Sequence, residues 1–251
     1  TSATCRTHPR FTEEYGPFRE ISLAASCPAA AALLLGERAP LTFRETETPG
    51  EPEPGDPWLA PLLAVRERMF GLLSDRTRPL RRRLGDWLAL ALEAQELLDG
   101  DRAEDLPALA KAWVPAEADG PGDGPGLFPE VLDLLGELEV LEPDWRDLLA
   151  AGKTAPPAPQ DAALLERTAA YFLFRYGLKA VNDGDLLSRI GFCVLAVLTA
   201  ERLAPVCGLP EAVGRFSREI EHDAANLTTL QDRFWEDGRL ALGRFRSELD
   251  R

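Results

Sequence analysis

Between Asp161 and Leu203 lies the most hydrophobic part of the chain, two apolar segments separated by Asn182-Asp183-Gly184-Asp185. In the first, Leu164, Leu165, Ala169, Tyr171, Phe172, Phe174, Tyr176 and Leu178 recur at helical spacing and predict one long helix from Asp161 to Val181. Asp185 is a natural N-cap for a second helix, Leu186 to Leu203. That helix is apolar all round and is expected to be buried all round. The two should pack as an antiparallel hairpin and dominate the core, since burying one large side chain stabilises by about 1.5–3 kcal/mol. The longest apolar run, Gly191 to Ala200, is closed by Glu201 and Arg202 well short of a bilayer span.

Proline, glycine and capping residues divide the rest into further helices. Asp56-Pro57 opens one that ends near Ser74, and Arg78-Pro79, with Thr77 as cap, opens the next, closed by Gly100. Leu106–Trp113, Phe128–Leu141 and Asp144–Ala151 follow, with a Pro-rich break from Thr154 to Gln160. A final long helix starts near Leu209-Pro210-Glu211 and runs through Phe216, Ile220 and Ala224, and the tail from Gly238 reads as a short amphipathic helix. No segment alternates apolar and polar residues between turn signals, so no strand is predicted and the fold class is all-α. The expected architecture is an irregular multi-helix bundle around the C-terminal helical hairpin. Three parts are expected: 1–40 as the end of a cysteine-rich region, 41–56 as an acidic Pro-rich linker, and 57–251 as the helical domain.

The net charge of −14 argues against nucleic acid and anionic membrane surfaces as partners and is compatible with a basic, lysine-bearing protein. No signal peptide is legible, and a cytoplasmic location is expected. Arg81, Arg82 and Arg83 form the strongest basic cluster, expected to face solvent or pair with acidic helices. The run Asp119 to Gly126 reads as a loop, without the lysine, serine or threonine of a phosphate cradle. Cysteines at 5, 27, 193 and 207 form no disulfide framework.

Two short stretches carry chemistry. At the front, Thr4-Cys5-Arg6-Thr7-His8-Pro9-Arg10-Phe11 is followed by Ser22-Leu23-Ala24-Ala25-Ser26-Cys27-Pro28-Ala29-Ala30. Cys5 has cations beside it, and Cys27 precedes a proline suited to the first position of a helix ending at Gly36. Both settings favour a thiolate and suit a ligand of zinc or of an iron–sulfur cluster; the alternative is that both are small buried hydrophobes. Near the end stands Ser217-Arg218-Glu219-Ile220-Glu221-His222-Asp223. On one continuous helix Arg218, His222 and Asn226 would share a face, and Glu221 with His222 is a pair suited to removing a proton. The alternative is a helix laced with ion pairs.

These stretches resemble the flagellin lysine-N-methylase family. There, a "T-C-R-x-aromatic-P-R" segment precedes "S-L-x-x-S-C-P-E-A-A", downstream of a CxxCxxCC-type cysteine cluster, and "S-R-x-I-E-H" lies near the C-terminus. His8 stands at the aromatic position and Ala29 at the glutamate. The chain opens at Thr1 within the pattern, so the upstream cluster is expected to belong to a longer protein. The resemblance implies an S-adenosylmethionine-dependent protein-lysine methyltransferase acting on a flagellin-like substrate with surface lysines. It implies Glu221 and His222 as catalytic residues and Cys5 and Cys27 as ligands of a zinc or iron–sulfur site completed elsewhere. A metal- or cluster-binding module for recognition or redox sensing is the alternative. A helical interaction scaffold using the groove beside Tyr171–Val181 is a third.

Overall fold

The computed structural model describes residues 8–47, 49–51, 53–116 and 126–249. Cys5 and the loop predicted over 119–126, apart from Gly126, lie outside them. A two-stranded hairpin, β1 (Arg10–Glu14) and β2 (Arg19–Leu23), comes first. Eleven α-helices follow among the described residues: α1 (Pro28–Leu35), α2 (Leu59–Ser74), α3 (Leu80–Asp99), α4 (Leu106–Ala112), α5 (Phe128–Glu137), α6 (Trp145–Thr154), α7 (Ala162–Tyr176), α8 (Leu186–Cys207), α9 (Leu209–Phe216), α10 (Ala224–Glu236) and α11 (Leu242–Leu249). The fold is predominantly all-α, as predicted.

Helix α8 is the central post. Asp185 caps it by accepting the Ser188 N–H, and α3, α6, α7, α9 and α10 surround it. Phe192 meets Phe172 and Tyr176 of α7 and Phe216 of α9, ring on ring. The helix runs past its predicted end at Leu203 to Cys207, where the Gly208 N–H closes the last turn on the Ala204 carbonyl, and Glu201 and Arg202 within it are satisfied by the fold. Arg81 reaches Glu201 at 2.8 Å, and Arg202 donates to the Lys153 carbonyl at 2.8 Å. By length and composition alone this helix is now long enough to cross a membrane, but 72% of its apolar window is buried against its neighbours. The segment before it is shorter than predicted: α7 ends at Tyr176, and Gly177–Asn182 continues as a 3-10 turn.

The expected pairing of the arginine cluster with acidic groups is met at Arg81 and Arg83. Arg83 is buried and lies 2.7 Å from Glu166 of α7, which also takes Arg76. These pairs tie α3 and the connection before it to α7.

The hairpin was not expected from the sequence, and the reason is chemical. The face of β1–β2 turned toward the helices carries Phe11, Glu13, Glu20 and Ser22, whereas Ile21 and Leu23 are exposed. The apolar–polar alternation that marks a half-buried strand is therefore missing. Glu13 sits directly opposite Glu20, a like-charge pair that destabilises a ladder unless each charge finds a cation. Lys179 binds Glu13 at 2.5 Å, and Arg66 of α2 binds Glu20 through two contacts of 2.9 and 2.5 Å. Charge pairs seat the two strands on the helical body, and Tyr15 at the turn adds a buried ring.

The described residues of 41–56 have no regular structure and are mostly exposed, yet Phe43 and Pro54 lie on the body. The Phe43 ring stacks on Phe174 at 4.5 Å and touches Phe70 at 5.1 Å. Tyr15, Ala25, Leu34 and Leu35 from the front of the chain belong to the same hydrophobic core as the helices. Gly16, in the hairpin turn, has a φ of +85°, and a Cβ there would lie 2.5 Å from the Pro54 carbonyl oxygen. Gly16→Ala should therefore destabilise the protein by about 1–3 kcal/mol, through strain at positive φ and a backbone clash. Urea denaturation measures the loss, and limited proteolysis should show faster cleavage within residues 44–56.

Candidate functional site at the junction of the two motifs

The C-terminal motif is not one helical face. After α9 the chain widens into a π turn over Ser217–Glu221, bends at His222, and restarts at Ala224 with Asp223 as N-cap to the Asn226 N–H. The expected face of Arg218, His222 and Asn226 is therefore broken. Single π turns in α-helices are frequent at functional sites, and here Ser217, Glu219, Ile220 and Glu221 are all buried. Asn226 turns into a loop instead, donating to the Glu139 and Glu219 carbonyls and accepting the Glu139 N–H at 2.9 Å. Glu219 accepts the N–H groups of Leu141 at 2.8 Å and Glu142 at 2.9 Å, a structural role in which two backbone donors satisfy a buried carboxylate.

Glu221 points the other way, into the body. Its side chain is 1% exposed and that of its partner Arg175, on α7, 5%. Arg175 Nε donates to Glu221 Oε1 at 2.8 Å, and the Tyr176 hydroxyl donates to the same oxygen at 2.9 Å. The Tyr171 hydroxyl lies 3.4 Å from Oε2. Burial pulls the Arg175 pKa down, and the Glu221 carboxylate more than reverses this, so the guanidinium stays charged. Burial first, and Glu221 second, push both tyrosines well above their usual range. The same two causes raise the Cys193 thiol, which makes it inert.

The front of the chain closes over this pair. Arg175 Nη1 donates to Ser22 Oγ on β2 at 2.9 Å, and its guanidinium carbon sits 4.3 Å above the Phe11 ring on β1. The Ala25 N–H donates to the Tyr171 hydroxyl at 2.9 Å, and the Ser26 N–H to Ser217 Oγ at 3.0 Å. Ser26 Oγ is hydrogen-bonded to His222 Nε2. Arg218 reaches the Ser26 carbonyl and, more closely, the Glu142 carboxylate. His222 keeps an exposed edge while its ring meets His8 at 5.7 Å and Phe11 at 5.9 Å. Partial burial lowers the His222 pKa against the pull of Glu221, and the charges of His8, Arg175 and Arg218 lower it further.

The expected residues are thus brought together unevenly. Glu221 and His222 adjoin the segment that leads into Cys27, but they face different surroundings. Cys27 occupies the N-cap position of α1 with Pro28 after it, as predicted, although no helix N–H is bonded to its side chain. Cys5 lies outside the described residues. Among the described residues no three of His, Cys, Asp and Glu are arranged to hold a metal ion, so these residues do not by themselves fit zinc or an iron–sulfur cluster. Arg175, Tyr171, Tyr176, Ser22 and Ser217 went unnoticed in the sequence. The legible signal was Arg175 itself, a fixed cation inside an apolar helix, which must be met by a buried carboxylate. Compared with known protein families, with curated proteins and with solved structures, the chain matches none.

Glu221→Ala should cost about 3–5 kcal/mol of stability by stranding Arg175 without its partner. Chemical denaturation of the purified variant checks this; a loss below about 1 kcal/mol, the range of an exposed pair, would contradict the buried pairing.

Proposed function

We propose that the chain belongs to a protein-lysine N-methyltransferase of the flagellin lysine-N-methylase type, acting on lysine ε-amines of a flagellin-like protein. What supports this reading most is the meeting of the two stretches that carry the resemblance. Ser26 and Ser217, 191 residues apart in sequence, are joined by a hydrogen bond, and the next contact along is Ser26 to His222. A chemical centre assembled from both ends of a chain needs such a junction.

Within it, Glu221 and His222 divide the work. The carboxylate is enclosed by Arg175, Tyr176 and Tyr171, so it holds the site together rather than meeting substrate. His222 is the base: it is at the surface, and its lowered pKa keeps the imidazole neutral near pH 7. With Nε2–H donating to Ser26 Oγ, the Nδ1 lone pair is left for a substrate ammonium. A free lysine has a pKa of about 10.4, so the ammonium must lose its proton before its nitrogen can act as a nucleophile. Desolvation of the lysine against the Phe11–His222 corner lowers that barrier. S-adenosylmethionine would supply the methyl group; no described residue is assigned to holding it.

His222→Gln should lower kcat by about 10²–10⁴-fold while leaving the helical circular dichroism unchanged, with lysine methylation of flagellin read by mass spectrometry. No transfer by the full-length wild-type protein, together with no heat on titrating S-adenosylmethionine, would remove the assignment. The pH dependence has a definite sign. The folded state favours neutral His222, so its contribution to stability is full above about pH 6.5, the ordinary histidine value, and is lost as pH falls through the lower folded value. The acid limb of kcat/KM is accordingly expected below about pH 6.5, a limit set by the ordinary histidine.

A further inference from the structure

We infer that Arg175 is a positioning residue of this site, whose guanidinium locks the hairpin to the C-terminal motif and thereby orients the His222 ring. The inference rests on the reading of His222 as the base. Three different features of one planar group are used at once. Nε holds Glu221, the residue next to His222; Nη1 holds Ser22 on β2; and the face lies on Phe11 of β1. Phe11 in turn packs against His222 at 5.9 Å with the rings tilted by 58°. Four residues beyond Ser22, Ser26 makes the hydrogen bond to His222. The imidazole is thus gripped through Phe11 and Ser26 on the hairpin side and through the Glu221 backbone on the other. Arg175 touches Phe11 and Glu221 directly and reaches the Ser26 segment through Ser22, while Ser217 holds the Ser26 N–H independently.

A buried ion pair that served stability alone would need only opposite charge. Lysine would offer that charge without the fork or the flat face, and the fork and face are what reach Ser22 and Phe11. Glu142, which holds Arg218 beside Ser26, and His8, which flanks His222, approach the imidazole from outside this arrangement and are not coupled to Arg175 by any hydrogen bond described.

The test compares Phe11→Leu and Ser22→Ala, which leave the Arg175–Glu221 pair intact, with Arg175→Lys, which keeps the charge and removes the plane. The full-length protein is used, and the His222 tautomer is read by imidazole nitrogen NMR, with His8→Gln assigning the signals of the two histidines in this chain. Methyl transfer is measured beside it. Each folded variant should lose the single fixed tautomer of His222, and kcat should fall by about tenfold or more, the effect of a small misplacement. KM for S-adenosylmethionine should change by less than about twofold, because substrate binding is not what is removed. A wild-type His222 spectrum, or a wild-type kcat, in folded Phe11→Leu and Ser22→Ala proteins overturns the inference even if Arg175→Lys fails to fold. If instead the tautomer is lost as expected while even the wild type transfers no methyl group, Arg175 still positions His222, and it is the assigned reaction that fails.

Discussion

Two opposite charges withdrawn from water, Arg175 and Glu221, make the demand that the surrounding structure answers. Removing either ion from water carries a penalty of several kcal/mol, and their attraction offsets it only where the remaining donors and acceptors are also satisfied. Tyr176 and Tyr171 of α7, Ser22 of β2 and the Phe11 ring of β1 supply that satisfaction. Helix α7 brings the guanidinium, the π turn brings the carboxylate, and the hairpin closes the third side. The contact between the two ends of the chain is therefore set by electrostatics inside a body whose bulk is held by aliphatic packing around α8.

The body was legible because its signals are periodic and redundant. Asp185 before an apolar run, Pro28 after Cys27 and Gly100 after Asp99 each marked a helix boundary to within a residue or so. Boundaries failed where tertiary contacts overrode local cues. Helix α8 runs four residues beyond Leu203, through Pro205 to Cys207, packed along α9, and the last long helix splits because Asp223 caps a new start better than it continues the old one. The hairpin was illegible for a deeper reason. Apart from Phe11, its inward residues are acids and a serine, whose partners Arg66, Lys179 and Arg175 stand 46, 166 and 153 positions away in sequence.

The site divides in the same way. Its residues at the ends of the chain, Cys27, Glu221 and His222, stand in motifs and could be picked out one by one. What separates the enclosed Glu221 from the surface-facing His222 is environment, and environment is supplied by residues that look like ordinary core. Tyr171 and Tyr176 read as apolar helix positions; in the fold their hydroxyls are the donors and acceptors that join Ala25 and Glu221.

The inverted hairpin has a consequence for how the molecule breathes. Its attachment leans on Glu13–Lys179, Glu20–Arg66 and the Arg175 fork, with Tyr15 buried at the turn, whereas α8 is held chiefly by aliphatic and aromatic packing. Local opening therefore falls selectively on residues 10–23, and that ribbon is expected to exchange its amide protons as a local unit while the helices behind it keep theirs. The molecule has two kinds of cohesion, and the junction of its two motifs lies on the border between them.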